Sequence, residues 1–154
     1  MFERFGRSAR SAVEHARGEA ERRGDRRIGT EHLLLALLQD QAIERLVGVD
    51  AVAAHEAADR LDRDALTAIG LDVGTFQPAG EPPLGRHVLR MTSGAKAVLQ
   101  HSLAHTVAEK ARAITARHIL LALLEQQQPD PAAALLAALP VDRESLRKRL
   151  APAA

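Results

Sequence analysis

Apolar residues in the first 25 positions recur at three- and four-residue spacing, which predicts a helix with one buried face. The stripe is formed by Phe5, Ala9, Ala12, Val13, Ala16 and Ala20. A second stripe with nearly the same spacing is formed by Ala95, Val98, Leu99, Ser102 and Thr106. Thr92 or Ser93 can cap that second helix, because a side-chain oxygen there accepts from the first backbone N–H groups.

A short and very apolar segment follows each long helix. Residues 33–38 read Leu-Leu-Leu-Ala-Leu-Leu, and residues 119–124 read Ile-Leu-Leu-Ala-Leu-Leu. A helix that is apolar on all sides must be buried, so each segment is predicted to form the centre of a structural unit. Thr30 is the predicted N-cap of the first short helix. Thr115 is the predicted cap of the second, because Ala116 occupies the place that matches Thr30.

These segments belong to one internal repeat with an offset of 86. Residues 28–38 return as 114–124 with seven of eleven positions identical, and the ungapped alignment of 5–39 with 91–125 contains ten identities. Asp50 and Asp142 are predicted to cap a last helix in each unit, over residues 50–61 and 142–150. A duplicated sequence predicts a duplicated unit. The predicted fold is therefore all-α, with two pseudo-symmetric four-helix repeats and about eight helices.

Residues 69–91 separate the two repeats. Four of the ten Gly and three of the seven Pro lie in this stretch, which is typical of a linker or an extended loop. The chain is predicted to be a single domain over 1–154, with repeat one at 1–68, the linker at 69–91 and repeat two at 92–150.

Composition excludes several classes of function. The chain has 21 basic and 20 acidic residues, so its net charge of +1 favours neither nucleic acid nor a membrane. It has no Cys, which excludes disulfides and thiolate metal sites. The N-terminus lacks the apolar segment of a secretion signal, so a cytoplasmic protein is expected. No ATP-binding P-loop and no catalytic motif is present. We therefore expect no enzyme activity and no cofactor.

The opening Met-Phe-Glu-Arg-Phe, the Ile-Gly-Thr-Glu-His-Leu-Leu-Leu-Ala-Leu-Leu motif at 28–38 and its return after the linker resemble the Clp N-terminal domain. This is the double-repeat domain of the ClpC- and ClpA-type AAA+ unfoldases, and the opening is closest to ClpC. The resemblance implies two packed four-helix repeats that receive protein substrates and adaptors for an unfoldase feeding a ClpP-type peptidase. In the ClpC branch it also implies recognition of phosphoarginine and of natural-product peptides.

Because the chain has no P-loop, it contains no motor. It is expected to be either an excised domain or a free-standing protein of this family. In the second case it could act as a decoy that sequesters ClpC-targeting cyclic peptide antibiotics or phosphoarginine proteins.

The resemblance implies that Glu31, next to Thr30, accepts the guanidinium group of a phosphoarginine. The alternative is that Glu31 only stabilises the positive end of its helix dipole. In the second repeat Arg117 replaces the expected Glu, and an arginine would repel a guanidinium group. The second site is thus predicted to be absent or altered to bind an anion. Alternatively, Arg117 pairs with Glu125 or with another acid.

The resemblance also implies a groove between the first helices of the two repeats, used by adaptors and peptide ligands. By this comparison Phe2, Arg10, Val13 and Lys96 lie near it, although Phe2 could instead pack against the core. Met91 stands where the ClpC branch has a Phe, so an apolar contact is kept without its aromatic face.

The remaining polar features are weaker signals. His32 and His118 are predicted to be packed, hydrogen-bonded residues rather than metal ligands, since nothing else clusters with them in the sequence. His101 and His105 are spaced as a zinc-binding pair, but no third ligand is evident, so solvated histidines are favoured. The four arginines within residues 22–27 could attract nucleic acid, although a solvated loop is the commoner outcome.

Overall fold

The computed structural model describes residues 4–71 and 89–152. These residues form eight helices and two short strands, which confirms the predicted all-α fold. The helices of the first repeat are α1 (Arg7–Arg22), α2 (Thr30–Leu37), α3 (Gln41–Val47) and α4 (Ala51–Ala68). Those of the second are α5 (Ser93–Ala108), α6 (Ala116–Leu124), α7 (Pro131–Ala138) and α8 (Arg143–Leu150). Within the described ranges, no helix combines the length and apolarity that crossing a membrane requires.

The two apolar helices lie at the centre of the fold. α2 packs on α1 and α6 packs on α5 in the same way, and α2 and α6 also contact each other. Leu33–Leu38 and Ile119–Leu124 are buried throughout. The hydrophobic interior is therefore shared between the repeats, as expected for helices with no polar face.

Short backbone pairings cross reciprocally between the repeats. The strands β1 (Arg27–Ile28) and β2 (Arg90–Met91) are parallel, with Ile28 opposite Met91. Phe5 forms the matching bridge to Ile114. Since Met91 is Phe5 plus 86 and Ile114 is Ile28 plus 86, each repeat gives the other the same contact. Met91, which was predicted to be part of the linker, thus belongs to a strand and is half-buried. Most of the predicted linker (72–88) lies outside the described residues.

The predicted caps are correct except at Thr30. Thr92, Thr115 and Asp142 cap their helices as expected, and so does Asp50. At α2, however, the N-cap is Gly29. The Thr30 hydroxyl instead donates to Oδ1 of Asp130, the N-cap of α7, at 2.9 Å and accepts the N–H of Ala132 at 3.1 Å, so it supports the N-terminus of α7.

Two other boundaries differ from the prediction. Phe5 precedes α1, because its backbone is engaged in the bridge to Ile114. α4 continues to Ala68 rather than ending near residue 61. Its last two turns are mostly polar and exposed, so the apolar pattern that marks its buried half does not extend over them.

A buried acid connects α1, α4 and the turn after α2 in the first repeat. The Glu19 side chain is 1% exposed. It accepts hydrogen bonds from Nε2 of His55 on α4 at 2.8 Å, from the amide of Gln39 at 2.6 Å and from Arg22. Burial opposes ionisation of Glu19, but the hydrogen bond from His55 and the charges of His55 and Arg22 outweigh it. The pKa of Glu19 therefore lies below its ordinary value.

The surroundings of His55 favour its protonated form. Nε2 faces the Glu19 carboxylate, and Nδ1 donates to the carbonyl of Ala51 at 2.6 Å, so both ring nitrogens face acceptors. The hydrogen bond to Glu19 raises the pKa of His55 against the opposing effect of burial, and the Ala51 carbonyl adds to the rise.

We expect this pair to stabilise the fold most between about pH 4.5 and 6.5, the ordinary pKa values of the two groups. The contribution of His55, whose pKa is raised on folding, is complete below 6.5 and is lost as the pH rises through the raised value. The contribution of Glu19, whose pKa is lowered, is complete above 4.5 and is lost as the pH falls. Urea unfolding should show a difference between wild type and His55→Gln that is larger near pH 5.5 than near pH 9. An equal difference at both pH values would contradict this assignment.

Candidate functional site

The carboxylate of Glu31 can accept further hydrogen bonds. Among the described residues, its buried Oε2 atom has no hydrogen-bond partner. Oε1 lies 3.4 Å from Nδ1 of His32, but that nitrogen already accepts the N–H of Gly29 at 2.8 Å. Gly29 also makes room for the carboxylate, since a Cβ at this position would come within 2.5 Å of Oε2. A ligand that donates hydrogen bonds would satisfy this acceptor.

Glu31 lies on the wall of a cavity of about 370 Å³ between α2, α4 and α7. The apolar part of the lining consists of Ala58, Leu61, Pro131, Ala134 and Leu135. The polar part consists of Glu31, Asp25, Asp62 and Arg23. An aliphatic wall beside a carboxylate suits a side chain with an apolar stem and a cationic head.

Arg23 does not neutralise Glu31. It donates to Oδ1 of Asp59 at 2.8 Å and also to Asp62, both on α4. The Arg23 side chain is only 10% exposed in this double pair. The cavity consequently retains the negative charges of Glu31 and Asp25, which favours cationic groups.

Asp25 and Glu31 cluster with His32, which the sequence reading did not anticipate. One potential metal-ligating atom from each lies within 4.8 Å of the others. His32 is nevertheless buried, and both its nitrogens are engaged, since Nδ1 accepts from Gly29 and Nε2 is 2.8 Å from Oδ2 of Asp25. Because Nδ1 accepts, the ring proton is on Nε2, and a metal at Nε2 would require an imidazolate. The prediction of a packed, hydrogen-bonded histidine is confirmed.

The second repeat exchanges the two charges. Glu109 stands at the place of Arg23 and Arg117 at the place of Glu31, both at the offset of 86. Arg117 donates to Oε2 of Glu109 and to the carbonyl of Leu150 at 2.7 Å. The alternative that Arg117 pairs with Glu125 or with another acid is thus confirmed, and the acid is Glu109. With its guanidinium group occupied, Arg117 offers neither an acceptor for a cation nor an unpaired charge for an anion.

His118 completes this closed arrangement. Nδ1 accepts the N–H of Thr115 at 3.0 Å, and Nε2 is 2.8 Å from Oε2 of Glu109. The hydrogen bond from Arg117 lowers the pKa of Glu109 against the effect of burial, and the hydrogen bond from His118 lowers it further. The second repeat keeps the buried histidine but pairs it with a different acid. His118 contacts Glu109, whereas His32 contacts Asp25.

Of the predicted groove residues that the structure describes, only Arg10 lines the cavity beside Phe5. Arg10 is exposed on α1 and lines a cavity of about 410 Å³, together with Phe5, Arg7, Ser11 and Glu14. Val13 and Met91 are partly buried against the core, Lys96 is exposed on α5, and none of the three lines this cavity. Phe2 lies outside the described residues.

The arginine run at 22–27 is partly neutralised. Arg22 pairs with Glu19, and Arg23 pairs with Asp59 and Asp62. Arg26 and Arg27 remain exposed. Two arginines are a small basic patch, so the run gives little support to a nucleic-acid interface.

Comparisons with known proteins agree with this architecture. Residues 4–91 match the family model of the Clp repeat (R) N-terminal domain. A probable ATP-dependent Clp protease ATP-binding subunit of Chlamydia pneumoniae is 28% identical over 158 residues, which cover 97% of this chain. That alignment spans only 16% of the length of the relative.

Solved structures show the same fold. The N-terminal domain of the caseinolytic protease associated chaperone ClpD from Arabidopsis thaliana has a TM-score of 0.69 at 21% identity, covering 97% of this chain and 96% of that one. The N-terminal domain of Hsp104 from Candida albicans has a TM-score of 0.65 at 19% identity, covering 95% and 88%. The chain belongs to the Clp repeat N-terminal domain family, the non-catalytic modules that bind substrates and adaptors of Clp chaperones.

Proposed function

We propose that this chain is the recognition module of a cytoplasmic ClpC–ClpP-type degradation system and that it binds phosphoarginine at one site, with Glu31 as the guanidinium acceptor. The observation that carries the proposal is the position of Glu31 on the wall of a cavity, with a carboxylate whose buried Oε2 has no hydrogen-bond partner among the described residues. Adaptors or cyclic peptides are proposed to bind separately, along α1 near Arg10, where the second cavity opens beside Phe5.

The charges around Glu31 set the expected strength of binding. The guanidinium group would pair with Glu31, and bidentate pairs of this kind are among the stronger hydrogen-bonded contacts. The phosphate would meet the carboxylates of Asp25 and Asp62 on the same wall, which oppose an anion. Arg23 cannot fully compensate, because Asp59 and Asp62 already hold it. We therefore expect weak binding of the free amino acid.

Calorimetric titration with free phosphoarginine tests this assignment. We expect one weak site in the wild type and loss of detectable heat in Glu31→Ala, because the carboxylate is the guanidinium acceptor. Glu144→Ala is the matched control, since Glu144 is exposed on α8. Binding that survives in Glu31→Ala would refute the site.

Variants of Arg117 test the corresponding position in the second repeat, where Arg117 is paired with Glu109. Arg117→Glu alone places a carboxylate beside Glu109 and should create no second site, because the two acids repel each other. The double variant Glu109→Arg/Arg117→Glu places an arginine and a glutamate at the positions where the first repeat has Arg23 and Glu31. Two equal sites in the wild type would show that Arg117 does not close its copy.

A further inference from the structure

A second polar cluster lies on the opposite repeat, where α5 packs against the end of α6. His101 and His105 are one helical turn apart on α5, so both rings project from the same face. Glu125 follows the last residue of α6, and its carboxylate reaches both rings. Oε1 contacts Nε2 of His105, and Oε2 lies 3.8 Å from Nδ1 of His101. The third ligand that the sequence did not reveal is supplied by this packing.

We propose that His101, His105 and Glu125 bind a divalent transition-metal ion, with Zn²⁺ as the ion that best fits the donors. Two imidazole nitrogens and one carboxylate oxygen form a common donor set for zinc, with a fourth position left for water or another ligand. Zinc binds such atoms at about 2.0–2.2 Å, so two ligand atoms on one ion lie up to about 4 Å apart. The 3.8 Å separation between Glu125 and His101 falls within that span. The three donor atoms do not all lie within 4.8 Å of one another as placed, so His101 must rotate to complete the site.

The rings in this cluster can give up a nitrogen to a metal. Within the described residues, the rings of His101 and His105 form no hydrogen bond or ion pair other than those to Glu125. His32, His55 and His118 differ, since each of them has both nitrogens engaged with the protein.

Exposure lets the cluster both adjust and admit an ion. The side chains of His101, His105 and Glu125 are 52%, 30% and 40% exposed. A half-exposed His101 can therefore rotate toward the other two donors. Because a half-exposed ring makes few contacts with the protein, this rotation costs little packing energy.

The matching positions of the first repeat do not carry the same three donor residues. At the offset of 86, the places of His101, His105 and Glu125 are held by His15, Glu19 and Gln39. There Gln39 donates to the buried Glu19 at 2.6 Å, so the same contact between helices is made without two imidazoles. His15 is therefore a matched control for His101.

Titration of the untagged, metal-free chain with ZnCl₂ tests the proposal, at about pH 7.5, where neutral imidazole predominates. We expect one bound ion, loss of that binding in His101→Ala and in His105→Ala, and an affinity lower by about 10-fold or more in Glu125→Gln. His15→Ala should bind zinc as the wild type does. Zinc should also raise the thermal midpoint of the wild type, because an ion that binds the folded state stabilises it.

Three results would overturn the proposal. The first is the absence of heat up to zinc concentrations on the order of 1 mM. The second is unchanged binding in the double variant His101→Ala/His105→Ala. The third is loss of binding in Asp25→Asn with His101→Ala unaffected, which would move the ion to the cluster around His32. Far-UV circular dichroism of each variant shows that it is folded.

Discussion

Replacement of Leu34 by alanine should lower the free energy of unfolding by about 2–5 kcal/mol, the range for removing a fully buried leucine side chain. Leu34 is 0% exposed at the centre of α2, and Leu120 holds the matching place in α6. The removed methyl groups lose their burial and leave a cavity that helices packed on several sides cannot close. A loss of about 3 kcal/mol corresponds to a fall in the thermal midpoint of roughly 6–12 °C for a chain of this size.

Leu120→Ala should cost a similar amount, because the two central helices share one interior. Val107→Ala is the control, since Val107 is 57% exposed on α5 and surface changes usually stay within about 0.5 kcal/mol. Urea unfolding of the three variants measures the difference. If Leu34→Ala cost no more than Val107→Ala, α2 would not be the centre of the fold.

Among the charged residues that the structure describes, Glu19→Ala should cost the most stability, about 2–3 kcal/mol. Removing one partner of a buried ion pair costs about 3–5 kcal/mol when the other charge stays buried. Here the cost is lower because His55 is 35% exposed and Arg22 is 66% exposed, so both can regain water. Gln39 also loses its acceptor on Glu19.

The neighbouring Glu21 provides a matched control on the same helix. Glu21 pairs with Arg17 at 3.1 Å on the surface, and such pairs contribute about 0.3–0.5 kcal/mol. Glu21→Ala should therefore change stability by a few tenths of a kcal/mol, as measured by urea unfolding. Equal losses in the two variants would mean that Glu19 does not connect α1 to α4.

The helices and the core were predictable because helical periodicity is local. The stripes and the leucine-rich segments are visible within a few turns of sequence, and they mark α1, α2, α5 and α6 correctly. Thr30 was assigned wrongly because its partner, Asp130, lies 100 positions away and only tertiary packing brings them together. The extent of α4 was underestimated because its last turns are polar.

The candidate site was only half predictable. Glu31 and Arg117 were identified from the motif, but the cavity walls on α4 and α7 depend on tertiary packing. One signal was present and unused, since aligning the repeats sets Arg23 against Glu109 as well as Glu31 against Arg117. Glu125 likewise became a third candidate ligand for His101 and His105 only once α6 was placed against α5.

Under the proposed function, two similar repeats carry one open acceptor site and one closed site. NMR titration of the ¹⁵N-labelled chain with phosphoarginine tests it most directly, because backbone amide shifts report each repeat separately. We predict shifts at Gly29–His32 and at 132–135, which surround the cavity at Glu31, and none at Thr115–His118. Equal shifts at the two places, or shifts confined to Thr115–His118, would contradict the account.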